Sequence, residues 1–100
     1  MAETQESMAL WAEQIFGPVS EPLSLVGRAS VELEELAEAV LDRDREEIGR
    51  EAADVVILLS RLMHEFDLTL DEEVNKKMAI NRARKWVPAG DGTGAHIKEQ

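Results

Sequence analysis

The chain has 100 residues, 44% of them hydrophobic, with two Trp and two Phe as its aromatics, no cysteine and a net charge of −10. One small, aliphatic-cored domain is the expectation, leaning on oligomerisation for stability and lacking disulfides or thiolate metal sites. The negative charge argues against a DNA or RNA polymer as partner but is compatible with a nucleotide bridged by metal ions.

No apolar run approaches the length of a bilayer span, and the polar, acidic MAETQES start does not read as a targeting segment, so the expected location is the cytoplasm. Hydrophobic periodicity predicts four helices and no strand. The first covers Gln5 to Phe16, with Met8, Trp11, Ala12 and Ile15 on one face, and stops at Gly17-Pro18. Spacing with Met8 and Ile15 favours Trp11 as a core residue, with stacking on a base as its other role. The second helix starts at Ser20 or Ser24 and runs to Leu41, its stripe being Leu25, Ala29, Leu33, Leu36 and Val40. Asp42-Arg43-Asp44 leads into the third, Arg45 to Phe66, with the stripe Ile48, Val55, Leu59, Leu62 and Phe66. So short a link forces these two long helices antiparallel. A Thr69-x-x-Glu72 capping box opens the fourth helix, Leu70 to Trp86. Pro88 and three glycines leave AGDGTGAHIKEQ without an expected helix or strand, giving a helical domain over 1–88 and a mobile Gly-rich tail over 89–100.

Each central helix carries two acids three residues apart: Glu32 and Glu35 in VELEELAEA, Glu51 and Asp54 in REAADVV. At about 100° per residue the first acid of each pair lies roughly 60° from its stripe and the second roughly 120°, in the same sense on both helices. Antiparallel packing through the stripes then brings all four carboxylates to one flank. Unneutralised, they would raise one another's pKa at a cost on the order of several kcal/mol if partly buried. Divalent cations relieve that conflict, and an all-oxygen donor set favours Mg²⁺ or Mn²⁺, or Ca²⁺ on chemistry alone, over zinc. Glu34 and Glu38 project towards solvent. On the fourth helix Lys77, Asn81 and Arg84 fall within a sector of roughly 60°, a donor-rich face suited to phosphate oxygens. His64 projects away from its helix's stripe, and Ile57 lies nearly opposite it, where an exposed apolar surface would mark a subunit contact.

Taken in order, ExxE in VELEELAEA, ExxD in REAADVV and K-x3-N-x2-R in KKMAINRARKW resemble the signature of the all-α nucleoside triphosphate pyrophosphohydrolases, the MazG-like superfamily. The similarity covers about residues 5 to 86 and is strongest to phage and bacterial dATP/dGTP pyrophosphohydrolases. It implies a four-helix bundle assembled as a homodimer or homotetramer. It also implies hydrolysis of a (d)NTP, dGTP or dATP among the purine substrates, to a monophosphate and pyrophosphate. Glu32, Glu35, Glu51 and Asp54 would hold two or more Mg²⁺ ions, replaceable by Mn²⁺, while Lys77, Asn81 and Arg84 would bind the triphosphate. Glu35 would orient or deprotonate the attacking water. Alternatives are phosphoribosyl-ATP as substrate, or a non-catalytic acidic helical module that binds a protein. Many relatives place two adjacent acids at the start of the first motif, whereas Val31 precedes Glu32 here, which leaves Glu38 as the spare candidate for an additional ion.

Overall fold

The computed structural model describes residues 2–98. Four helices and one small hairpin follow in the order α1 (Gln5–Phe16), α2 (Leu23–Leu41), α3 (Arg45–Glu65), α4 (Leu70–Ala83), β1 (Trp86–Pro88) and β2 (Gly94–His96). Their contacts divide into two compact units, Met1–Leu70 and Asp71–Gln100.

In the first unit α3 packs against both α2 and α1. A reciprocal cap starts α1: Thr4 Oγ1 accepts from the Ser7 N–H at 3.0 Å, and Ser7 Oγ accepts from the Thr4 N–H at 2.8 Å. Serine replaces the usual Glu or Gln at the third helical position, which is why the sequence pattern conceals this box. Gln5 ties the α3–α4 turn to α1, donating through Nε2 to the Leu68 carbonyl at 2.7 Å and accepting at Oε1 from the Leu70 N–H at 2.8 Å. Pro22 precedes α2, and a Glu21-based turn accepts the Ser24 N–H and hydroxyl. Asp44 caps α3 by accepting from the Glu47 N–H.

Both long helices end in the same device. After α2 the Arg43 N–H reaches the Val40 carbonyl and the Asp44 N–H reaches Ala39; after α3 Asp67 reaches His64 and Leu68 reaches Met63. These are Schellman pairs, and the residue at the turn adopts a left-handed backbone, φ 53° at Arg43 and 55° at Asp67. Glycine normally fills that position because a Cβ there is strained. Arg43→Gly is therefore expected to raise stability by up to about 1 kcal/mol, read as a higher urea midpoint with an unchanged slope. An unchanged or lower midpoint would show that the arginine side chain outweighs the strain.

The core differs from the sequence expectation in which faces of α1 and α2 are used. Ala9, Ala12, Leu25, Ala29 and Ala39 are the buried apolar residues, and among the described residues no large side chain is fully buried. On α2 the inward line is Leu25, Ala29, Glu32, Leu36 and Ala39, while Leu33 and Val40 are 51% and 52% exposed. Small alanines let the helices approach closely, and the larger residues form a second apolar line facing out. On α1, Trp11 is 55% exposed and Ile15 is exposed as well, so Trp11 is not the core residue its spacing suggested. Phe66 leaves the α3 stripe because it caps the helix and is exposed.

In the second unit α4 stops at Ala83, three residues before the expected end. The segment expected to be an irregular tail instead contributes β2 to an antiparallel pair with β1, in the register Trp86 to His96, Val87 to Ala95 and Pro88 to Gly94. Trp86 is the pivot: Nε1 donates to the Asn81 carbonyl at 2.7 Å, and the ring meets His96 edge-on at 5.8 Å. Asp91 shapes the turn by accepting from both the N–H and the hydroxyl of Thr93, bonds that hold its carboxyl below the usual range. Gly94 is required, since a Cβ there would stand 2.5 Å from the Val87 carbonyl oxygen. The final two positions of the 89–100 segment lie outside the described residues.

Candidate active site

Because Glu32 lies on the inward line of α2 and Glu51 on that of α3, these two acids meet between the helices. Glu35, one turn on from Glu32, joins them from the exposed edge. One carboxylate oxygen from each of the three lies within 4.8 Å of the others. Glu51 is the deepest, at 8% exposure, and its Oε2 is buried with no hydrogen-bond partner. Hydrogen bonding with Glu32 is the main reason its carboxyl is pushed up to about 8, followed by Glu47, burial and Glu35. Anionic neighbours and restricted water favour the neutral acid.

Two arginines beside the triad are already engaged. Arg28 Nη2 holds Glu32 Oε1 at 3.0 Å, and Arg50 Nη2 holds Glu47 Oε2 at 2.8 Å, which keeps Glu47 below its ordinary range. Neither guanidinium is paired with Glu51. An acid–acid contact with one orphaned buried oxygen, made of hard oxygen donors only, fits a divalent cation. Glu47 and Arg28 were not singled out from the sequence, although their signal was present: each stands four residues before an acid of the cluster.

Asp54 stands apart from the triad. Its side chain is one methylene shorter than that of Glu, and it instead shares with Glu32 the wall of an adjacent cavity of about 510 Å³. Trp11, Phe16, Ile57 and Arg61 line the same cavity. Ile57, expected opposite the core stripe, is half-buried there. Glu38 is exposed and outside the triad. In the second unit Lys77 and Arg84 are exposed, while Asn81 is half-buried with its Oδ1 lacking a hydrogen-bond partner.

Known proteins resemble this chain in sequence and layout. Residues 26–78 match the family model described as phosphoribosyl-ATP pyrophosphohydrolase. A dATP/dGTP diphosphohydrolase of Cyanophage S-2L is 34% identical over 97 residues, which is 97% of this chain and 88% of that protein. The structure of the Cyanophage S-2L MazG-like pyrophosphohydrolase bound to dGDP and three catalytic Mn²⁺ ions per active site superposes with a TM-score of 0.75. That match has 29% identity and covers 96% of this chain and 91% of the other. Helical layout and carboxylate cluster together define an all-α protein of the MazG-like class. Within that class, the chain belongs to the phosphoribosyl-ATP pyrophosphohydrolase family.

Proposed function

We propose that the protein is a metal-dependent pyrophosphohydrolase that converts purine deoxynucleoside triphosphates, dGTP or dATP, to the monophosphate and pyrophosphate. The observation that carries this reading is the triad of Glu32, Glu35 and Glu51, with its buried, unpartnered Oε2. Support for the substrate comes from the similarity to the phage dATP/dGTP enzyme along nearly the whole chain.

Glu32, Glu35 and Glu51 would hold the cations, with Asp54 as a further ligand; the assignment is to Mg²⁺, with Mn²⁺ as its substitute. When bound, such ions neutralise phosphate charge and make water more acidic. Glu35, on the exposed edge of the triad, accepts the proton of the attacking water. The water oxygen forms its bond to the α-phosphorus, the bond from that phosphorus to the α,β-bridging oxygen breaks, and pyrophosphate leaves. Lys77, Asn81 and Arg84 take phosphate oxygens, an assignment supported by their spacing and charge. Glu38 and Trp11 are kept as secondary candidates, the first for an extra ion and the second for contact with the base. Among the described residues no helix is long and apolar enough to cross a membrane. The cytoplasm, where nucleotide pools reside, is the location this reading assigns.

Pyrophosphate release from all eight common NTPs and dNTPs, and from phosphoribosyl-ATP, with Mg²⁺ or Mn²⁺ tests the reading. Turnover confined to purine dNTPs is expected. Preference for phosphoribosyl-ATP would move the protein to the sister activity in the matched family's description. Absence of metal-dependent turnover on every substrate would leave the non-catalytic helical module.

The reading includes a homo-oligomer, dimer or tetramer. Val26, Leu33 and Val40 recur every seven residues on α2 and are all substantially exposed, while the chain's own core is small. A stripe with that period is complementary to a second copy of the helix. Leu33→Glu is expected to shift the protein to monomer in sedimentation experiments, and an unchanged mass would exclude this face from the interface.

A further inference from the structure

The cavity beside Glu32 and Asp54 has a chemistry of its own, distinct from that of the acids. At about 510 Å³ it is of the size that accepts a small organic group. Trp11 and Phe16 form one wall, their rings edge-to-face at 5.9 Å and 88°, and both remain largely exposed. Apolar aromatic surface left open beside a cavity suits a flat ligand ring.

Arg61 adds direction. It lines the cavity, its guanidinium carbon lies 5.8 Å from the centre of the Phe16 ring, and it is half-buried. Among the described residues no carboxylate lies within ion-pair distance of it, unlike Arg28 and Arg50. A guanidinium has five donors and no acceptor, in a planar fork. On a nucleobase, the group that matches such a fork is a pair of adjacent acceptors. Guanine offers O6 and N7 side by side, whereas adenine puts an amino donor where guanine has O6.

We propose that this cavity receives the nucleobase and that Arg61 determines base specificity, donating to O6 and N7 of a guanine ring packed against Trp11 and Phe16. The inference rests on the pyrophosphohydrolase reading and adds to it a preference for dGTP over dATP. Phe16 is the positioning residue, holding the guanidinium by a cation–π contact.

The test compares kcat/KM for dGTP and dATP in the wild type, Arg61→Ala, Arg61→Gln and Arg61→Lys. The wild type is expected to favour dGTP. Arg61→Ala should lower the dGTP to dATP ratio by about tenfold or more, and Arg61→Gln, whose amide can both donate and accept, should move it towards dATP. Arg61→Lys keeps the charge and the aliphatic stem but loses the fork, so it should also lower the ratio, and it serves as the decisive variant if the others fail to fold. Hydrolysis by the wild type with no preference for dGTP, or with a ratio that survives all folded Arg61 variants, would overturn this inference and leave the catalytic reading standing. No hydrolysis of any triphosphate by the wild type would overturn both.

Discussion

Glu51→Gln is expected to remove metal-supported turnover while making the metal-free protein more stable at neutral and alkaline pH. The two effects have one origin. Glu51 is buried between acids of both central helices, with one oxygen unpartnered and its carboxyl pushed up from 4.5 to about 8, chiefly by hydrogen bonding with Glu32. A folded-state pKa above the unfolded value means that the neutral acid is what the metal-free fold prefers. The stabilisation is fully present below pH 4.5 and is lost progressively as pH rises through about 8. Gln imitates the neutral acid at every pH, so the gap in urea midpoint between Glu51→Gln and wild type, in chelator, should widen across that window. A cation reverses the preference, because it needs the carboxylate. Metal binding near pH 7 should therefore release a proton and tighten as pH rises towards 8. In the variant the ligand is gone, and turnover should fall by roughly 10³-fold or more, the rate equivalent of several kcal/mol of lost charge stabilisation. A pH-independent gap, or turnover retained within tenfold, would refute the assignment of Glu51.

Glu35→Gln is expected to behave differently, although it alters the same triad. Glu35 is exposed, so its loss should disturb stability little. Its proposed task is to accept the proton of the attacking water, and positioned general bases contribute roughly 10²–10⁴-fold in rate. The expected outcome is a fall of that order in kcat at saturating Mn²⁺, with a much smaller change in KM. Loss of the acidic limb in the pH profile of kcat would accompany it. If added metal restored full turnover, Glu35 would be a ligand only, and the base would have to be sought elsewhere.

The particular residues show what could be read in advance. The helix limits of α1 came directly from its apolar spacing and Gly17-Pro18, and the turn at Asp42-Arg43-Asp44 marked the central hairpin. The acids were legible because a three-residue spacing on a helix sets their angular relation before any packing occurs. That Glu32, Glu35 and Glu51 meet, while Asp54 lines the neighbouring cavity, was not legible, because it depends on arm length and on how far each helix turns about its axis. The β-hairpin was missed because its strands are three residues long, too short for a period to register.

By itself, then, the sequence determined the helices, their order, the carboxylate pairs and the hard-oxygen character of the site, since these follow from local spacing and side-chain chemistry. Tertiary structure alone decided which of two apolar lines on α2 turns inward. The small Ala29 and Ala39 are buried and Leu33 and Val40 are not. Close helix approach favours small side chains at the seam, a volume constraint set by both helices together. That rotation carries Glu32 inward to Glu51.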